Sequence, residues 1–501
     1  MGGFASAVTS AEALTACAWE PLPKSKIWTV PHPINVADRL RLTENCPLDS
    51  FPGVRRPIPL REKVFEMKIT LIGQDIPTLL PTLLTDLLFA ARVRGAEIAL
   101  EEKNPAMGGV LQGYGDAIFR QAGLGGSLRT ETDRAAALRG ADAVIYAGDP
   151  QAASRFAMDR SALSSEKEEE DPGLTDQARV NGGLEGLMHA LRAGTEVFRL
   201  CDAMDAACPK ATVINLGQPV ARTTAMFLGR GYRCLGLGRT PLKGANGLDT
   251  VLKRMQIAPE NARWQEAGLP GFAFLLKLED QGLDLLPKLK RAVAAGEMGK
   301  LSRRWLDWWG AVPLGDVTDH AEFLAAQPDF QPEENPEFGE SVERRKERIL
   351  YMNTVAGKGA ADREGAMAQL LLLSKAPPIR PMRLALTALS GNGTEPAAVR
   401  QNNGILPQLP KEAVIETELR MENGEDRSER AELPEALADM MREIDSANRL
   451  AARAARGDLE ALREYIETDP ALGGLDRLYC MDVARALIRL HEDVLPAFAE
   501  L

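Results

Sequence analysis

The sequence contains few cysteines and histidines. It has six cysteines and four histidines in 501 residues. No two cysteines form a CxxC pair, so a structural zinc site is not expected. Scattered thiols are typical of a reducing compartment, and we therefore expect a cytoplasmic protein. Any reaction that needs histidine has few candidates, which are His32, His189, His320 and His491.

Long apolar runs and an excess of positive charge are also absent. No run approaches the roughly eighteen apolar residues that a membrane span needs. The first residues lack the basic start and the continuous apolar centre of a secretory signal. The formal net charge of -11 opposes binding to nucleic-acid phosphates. We therefore expect neither a membrane nor a nucleic acid as a partner.

Three regions of the chain differ in pattern. Residues 1–66 are rich in proline and aperiodic, which predicts a poorly ordered extension. Residues 67–240 alternate short apolar runs with helical stretches, as in a Rossmann-type dinucleotide-binding domain with a doubly wound parallel sheet. Residues 241–501 have more helix and predict a mixed α+β C-terminal domain. Strands are predicted at MKITLIG (67–73), AEIALEE (96–102), ADAVIYAG (141–148), CPKATVINLG (208–217), RCLGLG (233–238), AGLPGFAFLLKLED (267–280), MRLALTALSG (382–391) and EAVIETELRME (412–422).

The turn after the first predicted strand is the candidate nucleotide site. A dinucleotide turn requires G-x-G-x-x-G, whereas this chain reads Gly73-Gln74-Asp75-Ile76-Pro77-Thr78 and keeps only the first glycine. Asp75 replaces the second glycine, where a carboxylate would repel a diphosphate; capping of the following helix is the alternative role. Glu102, at the end of the second strand, is the candidate partner of the NAD ribose, and an ordinary surface glutamate is its alternative. Weakened binding of NAD is predicted at Gly73, Gln74, Asp75 and Glu102.

Six segments occur in an order and spacing that match one enzyme family. They are MKITLIG, GGLEGLMHALR (182–192), CPKATVINLGQP (208–219), AGLPGFAFLLKLEDQGLDLLP (267–287), GAVPLGDVTDHAEF (310–323) and NNGILPQLPKEAVIE (402–416). The chain from Met67 onward resembles the family 4 glycoside hydrolases, which are NAD- and divalent-metal-dependent and have a malate-dehydrogenase-like fold. The resemblance implies a small sugar-like ligand, cleavage by oxidation and elimination, a C-terminal domain for substrate binding and oligomerisation, and a homodimer or homotetramer.

The departures from the family pattern affect the residues that are expected to bind the metal and to act as the base. The resemblance implies a metal-binding cysteine and histidine at positions that Gly238 and Gly271 hold here, and glycine has no side chain to ligate a metal. It implies a tyrosine base within residues 310–320, where this chain has none. Arg239 is a weak candidate for a fixed positive charge beside the vacant metal position, with a structural salt bridge as the alternative. The metal ligands are therefore predicted to be absent.

Four polar residues remain candidates for ligand binding. Asn215 and Gln218 lie in a loop where the resemblance implies contacts with sugar hydroxyls, and loop capping is their alternative. His320 lies in a segment resembling the family's His-x-x-Glu element, with a satisfied loop histidine as its alternative. Asn402 precedes an Asn-Gly pair, which is first of all a turn signal. These residues would line a sugar-binding cleft.

Three functions are compatible with this pattern. The first is a divergent family 4 protein of carbohydrate metabolism without metal-dependent hydrolysis, which the combined loss of the metal positions and the base favours. The second is a metal-free oxidoreductase or lyase that acts on sugar-like substrates. The third is an active NAD-dependent glycosidase, against which Gly238 and Gly271 argue.

Overall fold

The computed structural model describes most of the chain after Met67. The described residues are 67–74, 76–89, 96–122, 126–148, 151–165, 179–238, 246–325, 342–357, 380–495 and 498. The predicted extension over residues 1–66, Asp75 and Arg239 lie outside these ranges.

The first half of the chain forms the predicted parallel sheet. Buried runs such as Ala143–Tyr146 have apolar side chains on both faces, which is typical of a parallel strand covered on both sides by helices. The six strands are β1 (Lys68–Ile72), β2 (Glu97–Glu101), β3 (Ser127–Glu131), β4 (Ala143–Tyr146), β5 (Thr212–Asn215) and β6 (Cys234–Gly236). They lie in the order β3-β2-β1-β4-β5-β6, all parallel. This is the strand order of a Rossmann fold, with its switch point between β1 and β4.

Helices cover both faces of these six strands. They are α1 (Ile76–Phe89), α2 (Pro105–Ala122), α3 (Arg134–Leu138), α4 (Ala152–Ser165), α5 (Gly183–Ala207) and α6 (Val220–Gly229). One buried cluster contains side chains of α1 and α2, and the other contains side chains of α5 and α6. The long helix α5 begins within the segment GGLEGLMHALR (182–192). None of the helices in the described ranges is long and apolar enough to cross a bilayer.

The second half of the chain extends the same sheet with antiparallel strands. They are β7 (Ala262–Leu269), β8 (Phe272–Asp280), β9 (Leu283–Asp284), β10 (Val312–Leu314), β11 (Gly393–Gln401), β12 (Val414–Glu422) and β13 (Glu425–Asp426). The two halves join where β6 pairs with β11, and the order continues β11-β12-β7-β8-β10. The prediction of one strand over 267–280 was wrong. Pro270 and Gly271 separate β7 from β8 and make a hairpin, in which Gly271 has a φ of 81°.

Helices of the second half complete the core. They are α7 (Leu248–Met255), α8 (Leu286–Ala294), α9 (Lys300–Trp309), α10 (Val317–Ala321), α11 (Val342–Gly357), α12 (Pro381–Ser390), α13 (Glu435–Ala454), α14 (Leu459–Thr468) and α15 (Arg477–Leu490). The strand predicted over MRLALTALSG was wrong, because these residues form α12. Pro381 occupies the first turn, leucine and alanine favour helix, and Gly391 ends it with a φ of 66°.

Candidate functional site

The carboxyl ends of β1 and β4 form a narrow, glycine-lined crevice. Gly73 has a φ of 115°, and a Cβ added to it would stand 2.6 Å from the carbonyl oxygen of Gly148. Glycine is therefore required at this position, as the first position of a nucleotide turn demands. The side-chain amide of Gln74 lies 3.3 Å from where a Cβ on Gly148 would stand. Gln74 thus covers part of the crevice in which a diphosphate would lie.

A cavity of about 430 Å³ opens beside Gly73 at the carboxyl ends of β1 and β2. Ligands of doubly wound proteins bind at this edge of the sheet. The cavity contains the predicted Glu102 and is lined by Gly73, Glu101, Glu102, Lys103, Arg134, Gln151, Arg155, Arg192, Thr195, Glu196, Arg199 and Val494. Five of these side chains are cationic and three are carboxylates, so the wall favours an anion.

Glu101, next to the predicted Glu102, is bound by an arginine. Arg134 Nε donates to both oxygens of Glu101, at 3.1 and 3.0 Å. Its Nη2 donates to Glu196 at 2.5 Å. These two carboxylates raise the pKa of Arg134 against the lowering effect of its burial. Glu101 is therefore neutralised, and it does not offer the free carboxylate that an NAD ribose would require.

A buried ion network supports the back of the cavity. Arg192 Nη1 donates to Asp159 Oδ2 at 2.6 Å, and both side chains are buried. The other oxygen of Asp159 lies 2.6 Å from Nε2 of the buried His491. Arg155 Nη1 lies 3.4 Å from His491 Nδ1 and donates to Asp493 Oδ1 at 2.8 Å. This network fixes Arg155 and Arg192 on the cavity wall, and no pattern in the sequence had pointed to it.

The amides of Asn215 and Gln218 are engaged within their own loop. Asn215 is fully buried; its Nδ2 donates to the hydroxyls of Thr223 and Thr224 at 2.9 Å, and its Oδ1 accepts from the Gly217 N–H. Gln218 Oε1 accepts from the Val220 N–H at 3.3 Å. These bonds support the loop-capping alternative, while ligand binding by either residue stays a prediction.

The side chains of His320 and Asn402 also make their contacts within the fold. His320 is buried and stacks on Phe274 with ring centroids 5.0 Å apart, and burial lowers its pKa to about 3. Asn402 Nδ2 donates to the carbonyls of Leu406, Leu409 and Pro410, and its Oδ1 accepts from the Leu406 N–H at 2.7 Å. A neutral core histidine and a structural turn asparagine are the roles that this geometry supports.

The two glycines at the expected metal positions lie beside one carboxylate. A Cβ on Gly238 would stand 3.3 Å from Glu416 Oε1. A Cβ on Gly271 would stand 3.5 Å from the Phe323 ring and 3.9 Å from Asn181 Nδ2. These are close to ordinary contact distances for a Cβ, whereas the φ of 81° at Gly271 would strain any residue other than glycine. The residues present do not fit a thiolate–imidazole metal site, and the described part of the chain has no cluster of three or more metal-binding side chains.

Glu416 belongs to a buried acidic pair. Glu416 in β12 and Glu266 in β7 are both inaccessible to solvent, and within the described residues no side-chain hydrogen bond reaches their carboxylate oxygens. Burial raises the pKa of Glu416 to about 8, and Asp319 adds to the rise while the Gly271 N–H opposes it. Burial, together with Glu416 and Glu418, raises the pKa of Glu266 well above its usual value. Glu416 therefore favours the protonated form near neutral pH, and the pKa of Glu266 is shifted in the same direction.

Near Gly271, Glu322 and Asn181 form a second polar contact, which the sequence did not reveal. Glu322 Oε2 accepts from the N–H groups of Val180 and Asn181 and from Asn181 Nδ2, the last at 2.7 Å. The bond orients Asn181 toward Gly271. Glu322 lies two residues after His320, and its partner Asn181 lies 141 residues away in the chain.

The strand order and the cavity at the carboxyl ends of the parallel strands define an α/β protein of the Rossmann class. Residues 68–253 match the family 4 glycosyl hydrolases, and residues 267–472 match the family 4 glycosyl hydrolase C-terminal domain. The chain belongs to glycosyl hydrolase family 4, which confirms the resemblance and places it among proteins of carbohydrate metabolism. An alpha-glucosidase of Erwinia rhapontici is 28% identical over 155 residues, which are 31% of this chain and 33% of that protein. The matched stretch thus spans about a third of that relative.

Two solved structures have the same fold over most of this chain. A 6-phospho-alpha-glucosidase from gut microorganisms, in complex with NAD and Mn²⁺, has a TM-score of 0.64 and 14% identity, with 86% of this chain and 99% of that chain covered. A 6-phospho-beta glucosidase from Thermotoga maritima, with NAD and glucose-6-phosphate, has a TM-score of 0.60 and 15% identity, with coverages of 85% and 99%. At these identities the likeness shows the fold alone, and it confirms the predicted α/β architecture with a C-terminal domain.

Proposed function

We propose that this family 4 protein acts on or binds sugar-like ligands without the metal-dependent hydrolysis implied by the family pattern. Gly238 and Gly271 have no side chain that can ligate a metal, and this supports the proposal most strongly; the φ of 81° at Gly271 would also strain any larger residue there. A buried carboxyl group that favours its protonated form is a poor ligand for a divalent cation. We further propose a cytoplasmic homodimer or homotetramer, as the resemblance implies.

The test is a hydrolysis assay with aryl glycosides and their 6-phosphates, with NAD present and Mn²⁺ either added or chelated. We expect no turnover above the buffer rate in either condition and no heat of Mn²⁺ binding by calorimetry. The Thermotoga maritima 6-phospho-beta glucosidase, assayed in parallel, serves as the positive control. Turnover that requires Mn²⁺ would overturn the proposal and would support an active NAD-dependent glycosidase.

A metal-free oxidoreductase or lyase is the second candidate, and the cavity beside Gly73 favours it. The cavity keeps a volume and a charge suited to a nucleotide, whereas the metal positions keep no ligand. Under this alternative, a nicotinamide cofactor binds with the same affinity whether Mn²⁺ is present or not. Binding titrations in both conditions check this expectation.

A further inference from the structure

We propose that Arg155 binds a phosphate group of a ligand in the cavity beside Gly73, and that Asp493 occupies this guanidinium until the ligand displaces it. The ligand class is a small molecule with a phosphate or diphosphate group. The proposal rests on the proposed function only in assuming that the cavity takes such a ligand. It does not depend on whether hydrolysis occurs.

Arg155 lies near the start of α4 and reaches the cavity wall, where its side chain is 13% exposed. Its Nη1 donates to Asp493 Oδ1 at 2.8 Å, and its Nη2 donates to the other oxygen of the same carboxylate. A guanidinium binds a phosphate with this same bidentate geometry. Because Arg155 Nε donates to Gln151 Oε1 at 3.0 Å, Asp493 takes the donors with which Arg155 would bind a phosphate.

The turn that carries Asp493 lies at the rim of the cavity. The N–H groups of Val494 and Leu495 both donate to the His491 carbonyl, at 3.0 and 2.9 Å. Thr195 Oγ1 donates to the Val494 carbonyl at 3.1 Å, and both residues line the cavity. His491 and Leu495 are buried, so they fix the backbone of the turn. The Asp493 side chain can therefore leave Arg155 while this backbone stays in place.

Asp493 is easier to displace than the carboxylates that pair with other arginines of the wall. Its side chain is 59% exposed, so water would solvate the carboxylate after its release. Asp159, the partner of Arg192, is 0% exposed, and Glu101, a partner of Arg134, is 7% exposed. Release of either buried carboxylate would leave a charge without solvent. A ligand anion therefore competes most readily with Asp493.

The charge of a phosphate favours this exchange. The hydrogen bond from Arg155 lowers the pKa of Asp493, which keeps the carboxylate ionised and able to compete near neutral pH. A phosphate monoester carries about -1.5 to -2 charges and has three acceptor oxygens, whereas a carboxylate carries about -1 and has two. The cavity volume of about 430 Å³ is within the range of small-molecule sites.

Calorimetric titration of the full chain with ADP and with adenosine, at about 0.15 M salt to screen exposed charges, tests the proposal. Asp493→Asn keeps the shape of the side chain and removes the competing charge. We expect the variant to bind ADP about two- to fivefold more tightly than the wild type, the range that an exposed ion pair supports. Adenosine lacks a phosphate and should show no gain. An equal gain for both probes, no gain for ADP, or no ADP binding to either protein would overturn the proposal.

Two further variants assign the effect to the ion pair. Glu492→Gln makes the same change of charge at the neighbouring exposed position, and it should leave the ADP affinity close to that of the wild type. Arg155→Gln should bind ADP more weakly than the wild type, and adding Asp493→Asn to it should bring no gain, because the two side chains act as a pair. A gain from Glu492→Gln as large as that from Asp493→Asn, or a gain that persists without Arg155, would refute the assignment. Mn²⁺-dependent glycoside turnover, by contrast, would refute only the proposed function.

Discussion

Raising the pH from about 5 to about 8 is expected to lower the free energy of unfolding, and Glu416→Gln is expected to remove part of that loss. The folded-state pKa of Glu416 is raised to about 8 from the ordinary 4.5. Between these values the unfolded chain releases a proton that the folded protein keeps, so stability falls by up to about 1.4 kcal/mol per pH unit for this group. Glutamine has nearly the same shape and no charge, so the variant should be more stable than the wild type at about pH 8, by on the order of 3 kcal/mol.

Urea unfolding across this pH range measures the effect. Glu266→Gln should also reduce the loss of unfolding free energy at higher pH, since burial and the neighbouring Glu416 raise the pKa of Glu266. The double variant should show less than the sum of the two single effects, because Glu416 itself contributes to the raised pKa of Glu266. Glu297→Gln, at a carboxylate that is 55% exposed, is the control and should keep the wild-type slope. A Glu416→Gln variant with the wild-type slope would show that this carboxyl is ionised in the folded state.

The parallel half of the fold could be predicted because its signal is local. Five of its six strands, such as Lys68–Ile72, are short buried runs next to helical stretches, and a right-handed crossover leaves few possible arrangements. The strand β3 (Ser127–Glu131), in which only Leu128 is buried, was not predicted. The missed β3 and two further errors came from weak local signals. Only Pro270 and Gly271 mark the break between β7 and β8. In α12 the larger apolar residues of MRLALTAL alternate as in a strand, although leucine and alanine favour helix more strongly than β-structure.

The site was less predictable because its contacts join distant parts of the chain. The sequence located Gly238 and Gly271, but it could not show that Glu416 lies beside them. It also suggested that Asn215 and Asn402 could bind a ligand, whereas their hydrogen bonds lie within their own turns. A side-chain amide is suited to both roles, and only the positions of the surrounding carbonyl and N–H groups distinguish them.

Asp159→Ala is expected to be strongly destabilising, by about 3–5 kcal/mol, because it leaves the buried guanidinium of Arg192 without its carboxylate. The Arg192–Asp159 pair has a 2.6 Å hydrogen bond, and side-chain exposures of 1% and 0% show that water cannot replace the lost partner. His491 would lose its acceptor at the same time. Urea unfolding at about pH 7 measures the loss. Since Arg192 lines the cavity, nucleotide affinity should also fall in the protein that remains folded.

A second variant separates the cost of the orphaned charge from the cost of the missing side chain. Asp159→Ala/Arg192→Met removes both charges, so it should be more stable than Asp159→Ala alone even though it carries two changes. Asp307→Ala, in an ion pair whose two side chains are each 59% exposed, should change stability little, because water screens such pairs. If the double variant were less stable than Asp159→Ala, the loss would come from packing rather than from charge. The arginines of the cavity wall would then be held by the shape of α4 and α5, and not by the buried aspartate.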